Sequence, residues 1–327
     1  MALKKCQSLL AFESSNYNSF SFLLIPSISA DRWFGLWRLV YELSEEFFSV
    51  DLPEDFLSTA ENWKGIDKYC ASAKIPLPKS NSTQGKQMRT IAVAAVVSQT
   101  LVKHVFCPME PDKDLVKGME SLASQDPARE AAYRSMLLSI LDHVPKIPAD
   151  DGAKTAFVGE ITERVGPQLS KSLDDKFRER LDTLYHQARK EWRTIQGAKE
   201  RYEALDEVAE DCWVERVRLS EPSAKNTPTT NGHKPSPEPG SGKKKTKQPS
   251  LENISSGTND PLSLVAPVWP LLKALGSKEE IPALGLFNDQ VEAAREEVKR
   301  TARQASRSGG KKEEEGRRRS ILRVAMA

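Results

Sequence analysis

Cysteine is scarce in this chain, with 4 in 327 residues. Scattered as Cys6, Cys70, Cys107 and Cys212, they cannot supply the disulfide framework of a small secreted module. Long apolar runs are missing too. The longest uncharged stretch, Ser14 to Ala30, is 17 residues rich in Ser and Asn, and the most apolar run, Thr90 to Val102, is 13. A membrane-crossing helix needs about 20 predominantly apolar residues. Aromatics are nearly absent from the last third: 21 of 23 precede residue 220, leaving Trp269 and Phe287 behind it. Large rings supply much of the apolar area that folding buries, so the first 219 residues are expected to hold the core. Catalytic signatures are lacking as well. There is no Gly-x-Ser-x-Gly elbow, and Gly85-Lys86 has neither the upstream glycine nor the following Ser or Thr of a phosphate loop.

Charge is balanced overall, at net +2, but unevenly placed. Residues 1–219 carry 29 basic and 33 acidic side chains, and residues 220–327 carry 19 and 13. A mildly acidic body is therefore followed by a basic tail. Residues 1–30 combine Lys4, Lys5, Leu9 and Leu10 with Phe20 to Ile28, a weak targeting pattern that Glu13 and the Ser/Asn cluster interrupt. The alternatives there are a ragged N-terminus, a docking strand or a gene-model artefact.

From Asp31, an N-cap residue, the periodicity is helical. Trp33, Leu36, Trp37, Val40, Leu43 and Phe47 share one face, with Phe34, Tyr41 and Phe48 on a second. Phe56 to Tyr69 forms another helical segment, closed by Ile75-Pro76-Leu77-Pro78. Met88 to Phe106 reads as a long buried helix stopped by Pro108, and Asp112, Asp126-Pro127 and Asp150 or Asp151 mark further starts. From Ser170 to about Leu219 no proline occurs, and Leu181, Ala188, Ile195, Tyr202 and Ala209 keep heptad spacing beside Leu184, Ala198, Leu205, Cys212 and Leu219. That long helix projects or bends at Gly197, and either packs on its own domain or forms an intermolecular coiled coil. Glu191 in the seam and the small residues favour packing. No segment alternates like a half-buried strand. The expected fold is all-α: an irregular bundle of six or seven helices over 31–219, ending in a long helix and followed by a disordered tail.

Residues 220–260 are rich in Pro, Ser, Gly and Lys and lack aromatics, a composition that cannot offset its ordering entropy. Lys243, Lys244, Lys245 and Lys247 form a candidate nuclear-import signal, and Thr227 and Ser236, each before Pro, are candidate phosphosites. Residues 261–276 are an apolar island. Leu264, Val268, Trp269, Leu272 and Leu275 are candidate docking residues, with Trp269 as anchor. The island alternatively folds back onto the helical body. A short charged helix is expected over 287–305 and a basic disordered tail over 306–327, where Arg317-Arg318-Arg319-Ser320 makes Ser320 a third candidate phosphosite.

His104 and Cys107 stand three apart on one helix face, but nothing completes a set of four metal ligands, and His143 and His186 lack obvious partners. Asp174-Asp175 precede Lys176 and Arg178 and suit the first turn of a helix better than a metal motif. No cofactor, metal or catalytic residue is therefore expected. Residues 31–219, with the Asp31 to Phe48 helix, the Pro-marked turns through Pro145 and the Trp192 to Trp213 helix, resemble uncharacterised helical proteins from filamentous fungi. That resemblance implies no activity and supplies no site. The expected function is non-enzymatic: an intracellular interaction or scaffold protein of the nucleus or cytoplasm, meeting another protein through its long helix or through 261–276. The alternatives are a nuclear factor using its basic tail on nucleic acid, which shows no recognised binding motif, and a helical enzyme, which would need a deep polar pocket in the body.

Overall fold

The computed structural model describes residues 30–107, 113–143, 150–169, 171–208, 212, 214–219, 261–275 and 279–304. Eight helices come first: α1 (Ala30–Phe48), α2 (Glu54–Ser58), α3 (Lys64–Ala73), α4 (Thr83–His104), α5 (Lys113–Gln125), α6 (Pro127–His143), α7 (Asp150–Val165) and α8 (Lys171–Gln196). Strands β1 (Arg201–Leu205), β2 (Val214–Arg216), β3 (Leu264–Trp269), β4 (Leu271–Leu275), β5 (Glu280–Ile281) and β6 (Ala283–Phe287) follow, then helix α9 over 288–304. Among the described residues, no helix is long and apolar enough to cross a membrane.

The run that lacks a polar face is the centre of the molecule. From Met88 to Val97 every residue of α4 is buried, because α1, α3, α7 and β3 all pack around it. Ala92, Ala94 and Ala95 keep that helix thin enough for several neighbours to approach. Helix α1 meets it through Trp33, Leu36, Val40, Leu43 and Phe47, which recur at three- and four-residue steps along one face.

Buried arginines from elsewhere in the chain close two helix ends. Arg89, fully buried on α4, donates Nε to the Phe48 carbonyl and Nη2 to the Val50 carbonyl, both at 2.7 Å. A cation there complements the negative end of the helix dipole. Burial lowers its pKa to about 10, with Asp51 opposing. Arg134 on α6, likewise buried and paired with Glu130 at 2.9 Å, does the same for α8. It donates to the carbonyls of Gln196 and Ala198, and to that of Lys199 at 3.3 Å.

That cap corrects the expectation of one helix from Ser170 to Leu219. Helix α8 stops at Gln196, Gly197 follows, and the chain enters β1. There Tyr202 and Ala204 are buried while Glu203 between them is exposed. The seam positions Leu181, Leu184, Ala188 and Ile195 are buried in the protein's own core. Past residue 196 the heptad loses its burial: Ala198 and Tyr202 are buried, but Leu205, Cys212 and Leu219 are only half-buried.

The expectation of a purely helical fold is also corrected, since two three-stranded sheets are present, in the orders β1-β4-β5 and β2-β6-β3. They are the two halves of one bent β-hairpin. Lys273 pairs with Glu280 and Leu272 with Ile281, and the ladder resumes at Trp269 with Leu284. Between these pairs, one position apart in register, lie Pro270 on one strand and Pro282 on the other, each lacking the N–H that a continuous ladder needs. Strand β1 joins the outer edge of β4 antiparallel, and β2 joins the outer edge of β6 in parallel. Gly285 sits between flanking strands so close that a Cβ would lie 2.4 Å from Leu264 Cδ1 and 2.8 Å from Val214 Cγ1.

The central part of the apolar island, residues 266–274, is thus part of the core. Val268, Trp269 and Leu272 are 2%, 1% and 0% exposed. The Trp269 ring lies 5.0 Å from Trp33 and 5.9 Å from Trp37 and Phe106, and Trp33 Nε1 donates to the Pro270 carbonyl at 3.2 Å. Of the candidate docking residues, Leu264 is half-buried and Leu275 is exposed. Helix α9 returns to the far end of α4, where Glu297 accepts hydrogen bonds from Ser80 (2.5 Å) and Ser82 (2.7 Å). Ser82 is itself the N-cap of α4, accepting from the Gly85 N–H at 2.9 Å.

Candidate binding cleft

A cleft of about 1070 Å³ runs between the helical body and the bend of the hairpin. Its floor is α4, with Ala95, Ser98, Gln99 and Lys103. One wall is α3, contributing Lys68, Tyr69 and Ser72, together with α7, contributing Gly159, Glu160, Glu163 and Arg164. The opposite wall is Asp206 and Glu207, just past β1, and the segment Pro267 to Pro270. One glycine fixes the junction of α3 with α7. A Cβ on Gly65 would lie 2.4 Å from the Arg164 carbonyl oxygen, so only glycine lets the two backbones meet so closely.

Glu160 organises the charged end. It accepts from Lys103 Nζ at 2.7 Å and from Arg164 Nη2 at 2.7 Å, and His104 Nε2 stands 2.9 Å away. Partial burial would raise its pKa, but the hydrogen bonds from Lys103 and His104 and the charge of Arg164 bring it below the usual carboxylate value. Arg164 Nη1 also reaches Gln99 Oε1 at 3.2 Å. These cations are committed to protein acceptors. Glu163, Asp206 and Glu207 have no cationic partner among the described residues. Burial raises the Tyr69 phenol well above its ordinary pKa, and Cys70 and Asp206 push in the same direction against Arg164. The adjacent Cys70 thiol, pushed up to about 12 by burial and Asp67, is an inert core group.

The sequence candidates fall elsewhere. His104 belongs to the Glu160 cluster, whereas the Cys107 thiol donates to the Lys103 carbonyl at 3.0 Å. No group of three or more His, Cys, Asp or Glu could hold a metal among the described residues. His186 pairs with Asp182 one turn away at 3.5 Å, and Lys86 beside Gly85 pairs with Asp51 at 2.7 Å. Asp174 in the first turn of α8 pairs with Arg178 at 2.9 Å. Trp269 reaches the cleft as part of its wall rather than as an external anchor. Its Nε1 is buried without a hydrogen-bond partner. Lys243, Lys244, Lys245, Lys247, Thr227, Ser236 and Ser320 lie outside the described residues.

The sequence analysis missed Tyr69, Lys103, Glu160, Arg164, Asp206 and Glu207. The one local signal was Glu160 four residues before Arg164, a pairing ordinary on helix surfaces. No protein-family model, curated protein or solved structure matches the chain.

Proposed function

We propose that the protein is a non-enzymatic interaction or scaffold protein that receives an extended polypeptide segment in this cleft. The observation that carries the reading is the cleft itself: about 1070 Å³, open to solvent, and lined by both charged and apolar walls. Compact small-molecule sites run to roughly 300–1,000 Å³ and enclose most of their ligand. The strongest polar cluster favours binding over chemistry, since Glu160 is already neutralised by its neighbours and Cys70 is held as a buried thiol.

Gly159 provides the test. It lines the cleft, and a Cβ there would meet nothing within 4 Å, so Gly159→Trp places an indole in the cleft. Peptides selected from a displayed random library on the full chain should lose binding to this variant while its melting temperature holds. Selected peptides that bind the variant equally well would refute the reading.

A second reading rests on Lys243, Lys244, Lys245 and Lys247: nuclear, nucleic-acid association through the basic segment. It predicts duplex binding that weakens steeply with salt and is lost when these lysines are replaced by Gln.

A further inference from the structure

The charges lining the cleft differ in whether they are spent. Lys103 and Arg164 hold Glu160 at 2.7 Å each, and Arg164 also holds Gln99. An incoming anion would meet two cations whose charge Glu160 already partly offsets. Among the described residues, Lys68 is the lining cation without an ionic partner, whereas Glu163, Asp206 and Glu207 are three carboxylates without one. They come from two separate elements, Glu163 from α7 and the other two from beyond β1. An incoming cation therefore meets carboxylates that hold no cation among the described residues. The wall between them is apolar, built from Pro267, Val268 and Pro270, a surface on which the methylene stem of a long cationic side chain packs while its head stays among carboxylates. One group there still wants a partner: the Tyr69 hydroxyl has none among the described residues.

We propose that the cleft selects a lysine- or arginine-bearing extended segment of another protein, with Glu163, Asp206 and Glu207 reading its cationic side chains. This rests on the binding reading above and names the class of segment bound. Tyr69, a phenol that is neutral near pH 7, acts as a hydrogen-bonding group rather than as a further charge.

Fluorescence anisotropy with labelled oligolysine and oligoglutamate peptides tests it. The full chain is used both as it is and with Lys243, Lys244, Lys245 and Lys247 changed to Gln, so that its own lysines cannot mask the site. Oligolysine should bind and weaken as salt is raised. The double variant Asp206→Asn/Glu207→Gln should weaken it by roughly threefold to tenfold, the range expected of two solvent-exposed ion pairs. A control pair on α9, Glu292→Gln/Glu296→Gln, should change nothing. No oligolysine binding by either chain, equal binding by the Asp206/Glu207 variant, or tighter binding of oligoglutamate overturns the proposal. Gly159→Trp separates the two levels. If library peptides of neutral or acidic character bind and this variant abolishes them, the cleft still takes polypeptide and only the cationic preference fails. If binding survives Gly159→Trp, the cleft is not the site.

Discussion

Arg134 and Gln196 are 62 residues apart in the chain, yet the guanidinium of the first takes the carbonyl that ends the helix of the second. The same guanidinium is paired with Glu130, and both side chains are almost fully buried. Removing the cation strands a buried carboxylate and frees the helix end at once. Arg134→Met should cost about 3–5 kcal/mol, the range for breaking one side of a buried pair. Arg134→Lys should recover little of that loss, because a point charge cannot serve the Glu130 carboxylate and the Ala198 carbonyl in the planar geometry used here. Urea unfolding of the three proteins decides it; a wild-type midpoint for Arg134→Met would show that the cap contributes nothing.

Trp269 separates an anchor from a core residue. Since it packs among Trp33, Trp37 and Phe106, Trp269→Ala should destabilise the whole fold by about 3–5 kcal/mol, as large core truncations do. The measurement is the denaturation midpoint by circular dichroism. An unchanged midpoint with altered partner binding would return the residue to a docking role.

Two glycines of the cleft should respond with opposite signs. Gly159 is inside α7 with open space where a Cβ would go, so Gly159→Ala should stabilise by about 0.5–1 kcal/mol, the helical cost of glycine. Gly65→Ala puts a methyl 2.4 Å from the Arg164 carbonyl oxygen and should destabilise, by roughly 1–3 kcal/mol as overpacking does. Melting temperatures that shift the same way for both would contradict the geometry at the α3–α7 junction.

Glu160 should shape the acid limb of the stability curve. Its folded-state pKa lies below the ordinary carboxylate value, so on acidification the unfolded chain takes up this proton first. The stabilisation is complete above the unfolded pKa, about 4.3 for a glutamate, and is lost as pH falls through the folded value. Glu160→Gln should therefore flatten the dependence of unfolding free energy on pH below about 4.3. Equal slopes for the two proteins would rule out a depressed pKa.

Cys70 makes the alkaline counterpart. Its thiol rises from 9.0 to about 12, so its contribution is whole below 9.0 and fades as pH climbs toward 12. In practice it should resist alkylation at pH 8 in the folded protein and react once the chain is unfolded. Mass spectrometry of the labelled peptide records the difference, and rapid labelling of the native chain would show the thiol to be exposed.

What the sequence made legible was local. The stripe from Trp33 to Phe47 and the unbroken run in α4 announce their helices, and Asp126-Pro127 marks the start of α6 because capping chemistry needs only adjacent residues. The end of α8 was only half legible: Gly197 signals a bend, but the cap that stops the helix comes from Arg134 on another helix. The strands were illegible because β6 is buried from Ala283 through Leu286, which erases the alternation that marks a one-sided strand. Trp269 could not be placed as core or anchor without knowing that Trp33 waits for it, 236 residues earlier in the numbering. The cleft had the same problem to a greater degree: it gathers three helices, a turn and a strand bend, and only the Glu160–Arg164 pair within it is a neighbour relation along the chain.

The bent hairpin has a consequence for the order in which the protein can be made. Its strands begin at Leu264, while the aromatic face that receives Trp269 is built from Trp33, Phe106 and Trp192. During synthesis the eight helices leave the ribosome with that face uncovered and β1 and β2 without the strands they pair with. A chain that stops early, anywhere before the hairpin is complete, would display adjoining indole and phenyl rings to the quality-control machinery that recognises them. Concealment of that apolar surface thus waits on residues 264–287, and a product truncated before them would carry its own mark for removal.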